Sequence, residues 1–223
     1  MLSSVSGKPA PARFCIGLDL GRSCDFSALA SLEWPAAMDP EPAYACTTLK
    51  RWALSTPYMK VAAETAAFFL SLPKYGPPPL LVVDATGCGD AVYELIHMEM
   101  ARFGVVGGII GVTITGGSAV TQRQDGPARW NVAKKALVST LQAVMGKDRL
   151  RVAATLPEAK TLLREFDSFA VKISPETGNE SFESWRERDH DDLVLAVALA
   201  CFGAERFLPA MIPEPMPSRL AVR

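Results

Sequence analysis

The sequence predicts an α/β domain in which a mixed central sheet carries helices on both of its faces. The chain begins with three extended segments, at residues 13–20, 26–33 and 43–54, before its first helical segment. Three successive strands are typical of an antiparallel meander, whereas the alternation of helices and apolar strands that follows is typical of parallel strands. With 223 residues, 49% of them hydrophobic and 21% charged, the chain is large enough to form one such domain around a full core.

Turn residues and apolar periodicity locate the elements one after another. A turn from Gly21 to Asp25 joins the first two strands into a predicted hairpin, and the helix that begins at residue 58 ends at Pro73. "LLVVD", at 80–84, is a short continuous apolar run of the kind found in buried parallel strands. The further predicted elements are helices at 90–102, 130–146, 156–168 and 190–206, a strand at 104–114, a polar loop at 115–127, an extended piece at 149–153 and a strand pair within 169–185.

Composition excludes several classes of protein. The net charge of −1 provides no global positive field, so nucleic-acid binding would require a local basic patch. The chain has two histidines, which excludes a multi-histidine metal cage, and no apolar run of the roughly 18–20 residues that a membrane helix needs. The cysteines are dispersed without a CxxC pair, which favours reduced thiols over a disulfide framework or a zinc site; they are Cys15, Cys24, Cys46, Cys88 and Cys201.

The two ends of the chain differ in composition from its centre. Residues 1–12 lack an apolar segment and are predicted to be a flexible lead-in rather than a secretory signal. Residues 207–223 contain four prolines and are predicted to be an extended tail. A single domain is therefore expected over residues 13–206.

Acidic residues stand at the ends of three apolar elements. Asp19 ends the first strand and Asp84 ends "LLVVD", so both carboxylates would emerge at one edge of the sheet if these strands are parallel neighbours. Asp191 and Asp192 precede a uniformly apolar helix, and Asp192 would share a face with its buried residues. Solvated strand ends and helix capping are the structural alternative for these acids.

If the acids converge, their mutual repulsion requires a positive partner. Carboxylates without histidine or thiolate ligands suit hard cations such as Mg²⁺ or Mn²⁺. Two such ions support hydrolysis of a phosphodiester, one by activating water and the other by stabilising the leaving oxygen. Gly21 and Gly87 follow the two strand-end acids closely, where a thin backbone would let a large anion approach.

The motifs resemble those of one known family. "IGLDLG", "VVDATGCGD" and "DHDDLVLAVALA", together with the intervening "WNVAKKALVSTLQAVMGKDRLRVAATLPEAKTLLREF", resemble the nuclease domain of the large terminase subunit of tailed bacteriophages over residues 13–206. The resemblance implies a ribonuclease H-like fold and a metal-dependent endonuclease that cuts concatemeric phage DNA during packaging. It implies that Asp19 and Asp84 bind the two Mg²⁺ or Mn²⁺ ions and that Asp191 or Asp192, with Asp192 favoured, supplies the third carboxylate.

The resemblance also implies partners and a location. Double-stranded DNA would be the substrate, and a terminase ATPase domain, the small terminase subunit and the portal would be partners in the cytoplasm of a bacterial host. The sequence contains no GxxxxGK[ST] loop, so the nuclease part is expected here without the ATPase motor.

A basic segment is the candidate DNA contact. Residues 121–151 contain seven Lys and Arg against two Asp, a local excess of +5, with Arg123, Arg129, Lys134 and Lys135 in its first part. A solvated helix face would explain the same charges. His190, beside the two aspartates, is a possible auxiliary group for a proton or a metal, with a local hydrogen bond as the alternative. Trp130 and Trp185 are expected to be packing residues rather than base-stacking platforms.

Three other functions remain open at this point. A Holliday-junction-resolvase-like nuclease would use the same acids on branched DNA. "IGLDLGRS" and "VDATGCGD" also resemble the phosphate loops of actin-like and sugar-kinase ATPases, although no adenosine-binding segment follows the second loop. A binding module that has lost its metal site would retain DNA without cutting it.

Overall fold

The computed structural model describes residues 11–21, 25–36, 39, 41–73, 76–87, 89–105, 108–124, 128–172 and 191–207. The strands are β1 (Ala12–Asp19), β2 (Ala28–Pro35), β3 (Tyr44–Arg51), β4 (Leu80–Asp84), β5 (Gly108–Thr115), β6 (Val120–Gln122), β7 (Arg129–Ala133) and β8 (Leu150–Val152). The helices are α1 (Tyr58–Ser71), α2 (Gly89–Arg102), α3 (Lys134–Gly146), α4 (Ala159–Lys172) and α5 (Asp192–Arg206).

The eight strands form one mixed sheet in the order β6-β7-β5-β4-β1-β2-β3-β8. Strands β1, β2 and β3 pair as an antiparallel meander, while β4, β5 and β7 continue from β1 as parallel neighbours. At the two sheet edges, β6 pairs antiparallel with β7, and β8 pairs parallel with β3. The predicted fold class is therefore confirmed, and the condition that the first strand and "LLVVD" are parallel neighbours is met.

Each face of the sheet supports its own apolar core. Along β1, Cys15 packs with residues of α3 and α5, whereas Ile16 and Leu18 pack with residues of α1 and α2. The same alternation occurs in β4, where Val82 belongs to the first core and Val83 to the second. Because side chains of a strand alternate between faces, these contacts define an α5 face and an α1–α2 face of the sheet.

Helix α5 lies directly on the central strands. A Cβ added to Gly17 would stand 1.9 Å from the Ala196 oxygen and 2.7 Å from the Ala200 nitrogen, so the backbones of β1 and α5 touch there. Further along the helix, Gly203 lies against Cys15 and Val82. The helix therefore runs antiparallel to β1, and its first turn lies at the carboxyl end of that strand. Its residues from Asp192 to Ala204 are buried, as expected for a uniformly apolar helix.

The structure corrects two sequence predictions between residues 115 and 146. Residues 129–133, whose larger part was assigned to a helix at 130–146, form strand β7, which pairs with β5 from Gly111 to Thr115. The local pattern of "WNVA" fits a strand or a helix, and pairing with β5 decides between them. Strand β6 lies within the predicted polar loop.

A third correction concerns the region after Leu156. Helix α4 begins at Ala159 and continues through Lys172, although a strand pair was predicted from residue 169 onward. The rest of that predicted pair, through residue 185, lies outside the described residues. No helix in the described part of the chain is long and apolar enough to cross a membrane.

The cysteines that the structure describes are structural. Cys15, Cys46 and Cys201 are free thiols and are buried. Burial raises the pKa of Cys15 well above its ordinary value and raises the pKa of Cys46 to about 12. Since the thiolate is the reactive form, these side chains behave as small apolar groups. Cys24 and Cys88 lie outside the described residues.

Candidate functional site

Asp19 and Asp84 stand side by side at one edge of the sheet. Leu18 is in parallel register with Val83, and each strand ends one residue later, at Asp19 and Asp84. Adjacent strands lie about 4.8 Å apart. The aspartates follow the alternation of Cys15 and Val82, so both belong to the α5 face, and both are less than a tenth exposed.

The first turn of α5 reaches the same place. Asp192, Ala196 and Ala200 are spaced four residues apart, so they share the side of the helix that contacts β1 at Gly17. Ala196 lies four residues after Asp192, a rise of about 6 Å along the helix. Two strand residues from Gly17 to Asp19 cover a similar length, about 6–7 Å. The antiparallel helix therefore begins level with Asp19, and Asp192 is buried there. We refer to Asp19, Asp84 and Asp192 as the acidic edge.

Capping of α5 is supplied by a residue from another helix. Asp191 occupies the N-cap position but makes no side-chain capping hydrogen bond to the helix. Instead, Glu165 of α4 accepts hydrogen bonds at Oε2 from the backbone N–H groups of Leu193, at 2.9 Å, and Val194, at 3.0 Å. These amides belong to the first turn, whose N–H groups have no partner within the helix. Helix capping, the structural alternative proposed for the two aspartates, is thus carried out by Glu165.

Glu165 was not identified from the sequence. It is buried, and the pKa of its carboxyl is raised to about 7, chiefly by burial and also by the charge of Asp192, while the two backbone amides and Arg51 act to lower it. A signal was present: Glu165 lies between Leu162 and Phe166 on the apolar side of an amphipathic helix. A charged residue in an apolar stripe indicates a specific partner.

Arg51 is a second residue that sequence reasoning missed. It pairs with Ala28, which pairs in turn with Asp19, so Arg51 stands in the same row across the sheet as Asp19. Its Nη1 lies 3.7 Å from Glu165 Oε1, and its guanidinium covers the Phe26 ring at 4.2 Å. The positive charge of Arg51 is thereby held close to the acidic edge.

The turn after β4 fixes the Asp84 carboxylate. Its Oδ1 accepts a hydrogen bond from the Thr86 backbone N–H at 2.7 Å, and the Thr86 hydroxyl accepts one from the N–H of Ile114 at 2.7 Å. Gly87 has φ of +78°, a conformation that glycine adopts without strain. At Gly21, a Cβ would stand 2.4 Å from the backbone of Asp25 and Phe26, so a glycine is needed there for the chain to pass back close to itself.

The donor set of the acidic edge suits a hard divalent cation. Carboxylate oxygens are the ligands that Mg²⁺ and Mn²⁺ prefer. Within the described residues, no group of three or more histidine, cysteine, aspartate or glutamate side chains is arranged to hold a metal ion. Like-charged carboxylates repel one another without a cation between them. The backbone therefore brings the acids to one edge and one face, while their side chains do not form a finished cage.

The predicted basic segment is divided between the two sheet faces. Arg129 is buried, lies 2.5 Å from Glu94 Oε1 through Nη2, and covers the Tyr93 ring of α2 at 4.4 Å. Arg123 donates a hydrogen bond to the Thr113 hydroxyl at 3.2 Å. The partners of Arg129, Glu94 and Tyr93, belong to α2, so Arg129 lies on the α1–α2 face of the sheet. Thr113, the partner of Arg123, lies on the same face. Asp19 and Asp84 lie on the opposite face.

Two lysines of that segment lie nearer to the acidic edge. Lys134 and Lys135 open α3 directly after β7, whose carboxyl end lies at the same edge of the sheet as those of β1 and β4. Lys135 is exposed and Lys134 half-buried. Later in the segment, Lys147 pairs with Glu41, and buried Arg149 pairs with Glu205.

Of the remaining predicted residues, the structure describes one and leaves two outside the described ranges. Trp130 packs against Phe207 with ring centroids 5.2 Å apart, which agrees with its expected packing role. His190 and Trp185 lie outside the described residues, and His190 stays a prediction.

Comparison with known proteins gives one relative by sequence. No protein-family model matches the chain. The chain is similar to the large terminase subunit of Thermus phage G20c, with 26% identity over 190 residues. The match covers 84% of this chain and 31% of the relative, so the chain spans about a third of the length of that curated protein.

Comparison of the folds leads to the same group of proteins. The nuclease domain of human cytomegalovirus terminase, soaked with Mn and bound to an inhibitor, has a TM-score of 0.57 at 11% identity, covering 89% of this chain and 85% of that one. The same domain soaked with Mn has a TM-score of 0.56 at 12% identity, covering 87% and 85%. The two comparisons thus agree: the chain is similar in sequence to a terminase large subunit, and it has the fold of terminase nuclease domains, which is ribonuclease H-like.

Proposed function

We propose that this chain is a metal-dependent endonuclease that hydrolyses phosphodiester bonds of double-stranded DNA during phage DNA packaging. Asp19, Asp84 and Asp192 would hold two Mg²⁺ or Mn²⁺ ions, with Asp191 as the neighbouring alternative to Asp192. One observation carries the proposal: β1 and β4 are parallel neighbours whose terminal aspartates face the strand-contacting side of α5. Terminase nuclease domains soaked with Mn have a similar fold, which supports the choice of ion.

The residues of the acidic edge have separable parts in this function. Bound divalent ions would supply the positive charge that hydrolysis needs at the attacking water and at the leaving oxygen. Asp84 would present a carboxylate whose direction is set by the N–H of Thr86. Asp19 would present its own from the adjacent strand, and Asp192 from the first turn of α5. Since the side chains form no finished cage, we expect ion binding to draw them together.

Lys134 and Lys135 are the proposed DNA contacts nearest to the acidic edge. Lysines there would contact phosphates without reading sequence, and the binding they support would weaken as salt rises. Arg123 would contribute from the opposite face of the sheet, whereas the burial of Arg129 and its pairing with Glu94 leave Arg129 out of the proposed contacts.

The proposed biological setting follows from the large-subunit relative. We infer that residues 13–206 act as the nuclease part beside a terminase ATPase domain, a small terminase subunit and a portal, in the cytoplasm of a bacterial host. The match covers 31% of the Thermus phage protein, a stretch of domain size, which supports assigning the nuclease part to these residues.

Plasmid cleavage tests the proposal. Supercoiled DNA is incubated with the parent chain and Mg²⁺ or Mn²⁺, beside Asp84→Asn and Asp167→Asn. The Asn side chain keeps an oxygen for the Thr86 N–H but loses the charge, while Asp167 is an exposed acid on α4 and serves as the matched control. We expect nicking and linearisation by the parent and by Asp167→Asn, and a loss of at least about 100-fold in Asp84→Asn.

Cleavage that persists in EDTA and in Asp84→Asn would refute the metal mechanism. Preference for four-way junctions over linear DNA would favour the resolvase alternative. Thermal stabilisation by Mg·ATP, but not by Mn²⁺ alone, would favour the ATPase alternative. DNA retention on a gel without scission would favour a binding module.

A further inference from the structure

Glu165 is a buried acid beside the acidic edge that the proposed metal chemistry does not use. It lies on α4, 28 residues from the first turn of α5 in sequence, and its Oε2 accepts the N–H groups of Leu193 and Val194. We propose that Glu165 is a positioning residue, which holds that turn so that the Asp192 carboxylate is directed toward Asp19 and Asp84. This inference rests on the proposed function, because it assigns Glu165 a part in assembling the same metal site.

The chemistry of the contact is unusual for a helix cap alone. Helix starts are ordinarily capped by a local Ser, Thr, Asp or Asn, at little cost in solvation. Here Asp191 is at the N-cap position without making the capping bond, and a glutamate from another helix is buried to make it. Burying a carboxylate next to another acid costs free energy. The arrangement leaves capping to Glu165, so that neither Asp191 nor Asp192 is needed for it.

Arg51 extends the contact to the sheet. It lies 3.7 Å from the other carboxylate oxygen of Glu165 and shares a row of paired residues with Ala28 and Asp19. The Glu165 carboxylate therefore joins the turn that carries Asp192 to the row of the sheet that carries Asp19. Outer partners of this kind orient metal ligands, and removing them commonly lowers metal affinity by about 10- to 100-fold.

Two substitutions separate the reach of the side chain from its charge. Glu165→Gln keeps the length and an oxygen that accepts both backbone N–H groups, but removes the charge. Glu165→Asp keeps the charge and shortens the side chain by one methylene, so that it cannot reach both amides from the same backbone position. Glu205→Ala is the matched control, since Glu205 lies at the far end of α5, away from the first turn that Glu165 contacts, and pairs with Arg149.

Mn²⁺ affinity is measured by titration of the metal into each protein, with free Mn²⁺ detected by its electron paramagnetic resonance signal, beside thermal unfolding of each protein. We expect Glu165→Asp to weaken Mn²⁺ binding about 10-fold or more and Glu165→Gln to weaken it by no more than about 3-fold. Glu205→Ala should lower the unfolding temperature and leave Mn²⁺ affinity unchanged.

Parental Mn²⁺ affinity in Glu165→Asp, with or without a lowered unfolding temperature, would overturn the positioning role. So would an equal loss in Glu165→Gln and Glu165→Asp, since charge rather than reach would then matter. The Asp84→Asn variant is titrated in parallel: absence of Mn²⁺ binding in the parent, or parental affinity in Asp84→Asn, would overturn the proposed function and with it the present inference.

Discussion

Substituting Gly17 by alanine tests how closely α5 must approach β1. The added Cβ would stand 1.9 Å from the Ala196 oxygen, and ordinary van der Waals contact begins at 3.4 Å, so the two backbones must separate by at least about 1.5 Å. The opposing atoms belong to the backbone of α5, and no side-chain rotation relieves the clash. Overpacking costs about 1–3 kcal/mol, and for a backbone clash we expect the upper end, about 3 kcal/mol.

Thermal unfolding followed by circular dichroism measures this cost. For a domain of this size, 1 kcal/mol lowers Tm by about 2–4 °C, so we expect Gly17→Ala to lower Tm by about 6–12 °C. Gly146→Ala is the matched control, because an added Cβ at Gly146 meets no atom of the described residues within 4 Å outside its own helix backbone. The control should leave Tm unchanged or slightly higher.

The same substitution also moves Asp192 away from Asp19. A shift of about 1.5 Å at Ala196 carries the first turn of α5 with it, so Mn²⁺ affinity should fall together with Tm. A Gly17→Ala protein with Tm within about 1 °C of the parent would show that α5 does not lie against β1 as described, and the reasoning that aligns Asp192 with Asp19 would fail.

Three further predictions concern other parts of the molecule. Tyr44→Phe removes hydrogen bonds to Glu205, at 2.5 Å, and from Arg149, at 3.3 Å, and should lower the free energy of unfolding in urea by about 1–2 kcal/mol; an unchanged midpoint would contradict this. Thr86→Val leaves the N–H of Ile114 without its acceptor and should cost about 1 kcal/mol in the same assay, whereas a neutral result would mean that the turn after β4 does not depend on that bond. Burial lowers the pKa of His97 below its ordinary 6.5, so the unfolded chain binds the proton first and stability is lost as pH falls through 6.5. The Tm of His97→Gln should therefore fall less than that of the parent between about pH 7.5 and 5.5. Parallel decreases in the two proteins would exclude this contribution.

Local signals were sufficient for the central elements. The apolar run of "LLVVD" was assigned as a buried parallel strand over the residues that β4 occupies, and the uniformly apolar segment after Asp192 was assigned as a buried helix. Both segments are buried along their whole length, so every residue contributes to the pattern. The three acids were found because each interrupts the apolar pattern where an element begins or ends.

Long-range pairing decided the parts that were assigned wrongly. Residues 129–133 form a strand because β5 offers an unpaired edge beside them, and the short strand β6 exists because β7 does. Each pairing partner lies outside the segment itself, so the local periodicity of "WNVA" carried no information about the pairing. The same holds for Arg129, whose charge was visible in the sequence and whose burial against Glu94 and Tyr93 was not.

The sequence by itself determined which residues are apolar, where the main strands and helices lie, and that carboxylates terminate three of them. Tertiary structure alone decided that two of those strands are parallel neighbours, that a helix from the far end of the chain lies on them at Gly17, and that Glu165 and Arg51 come to the same edge. The reason is physical: periodicity reports the burial of one element, whereas the distance between two elements depends on packing and backbone pairing between segments far apart in the chain.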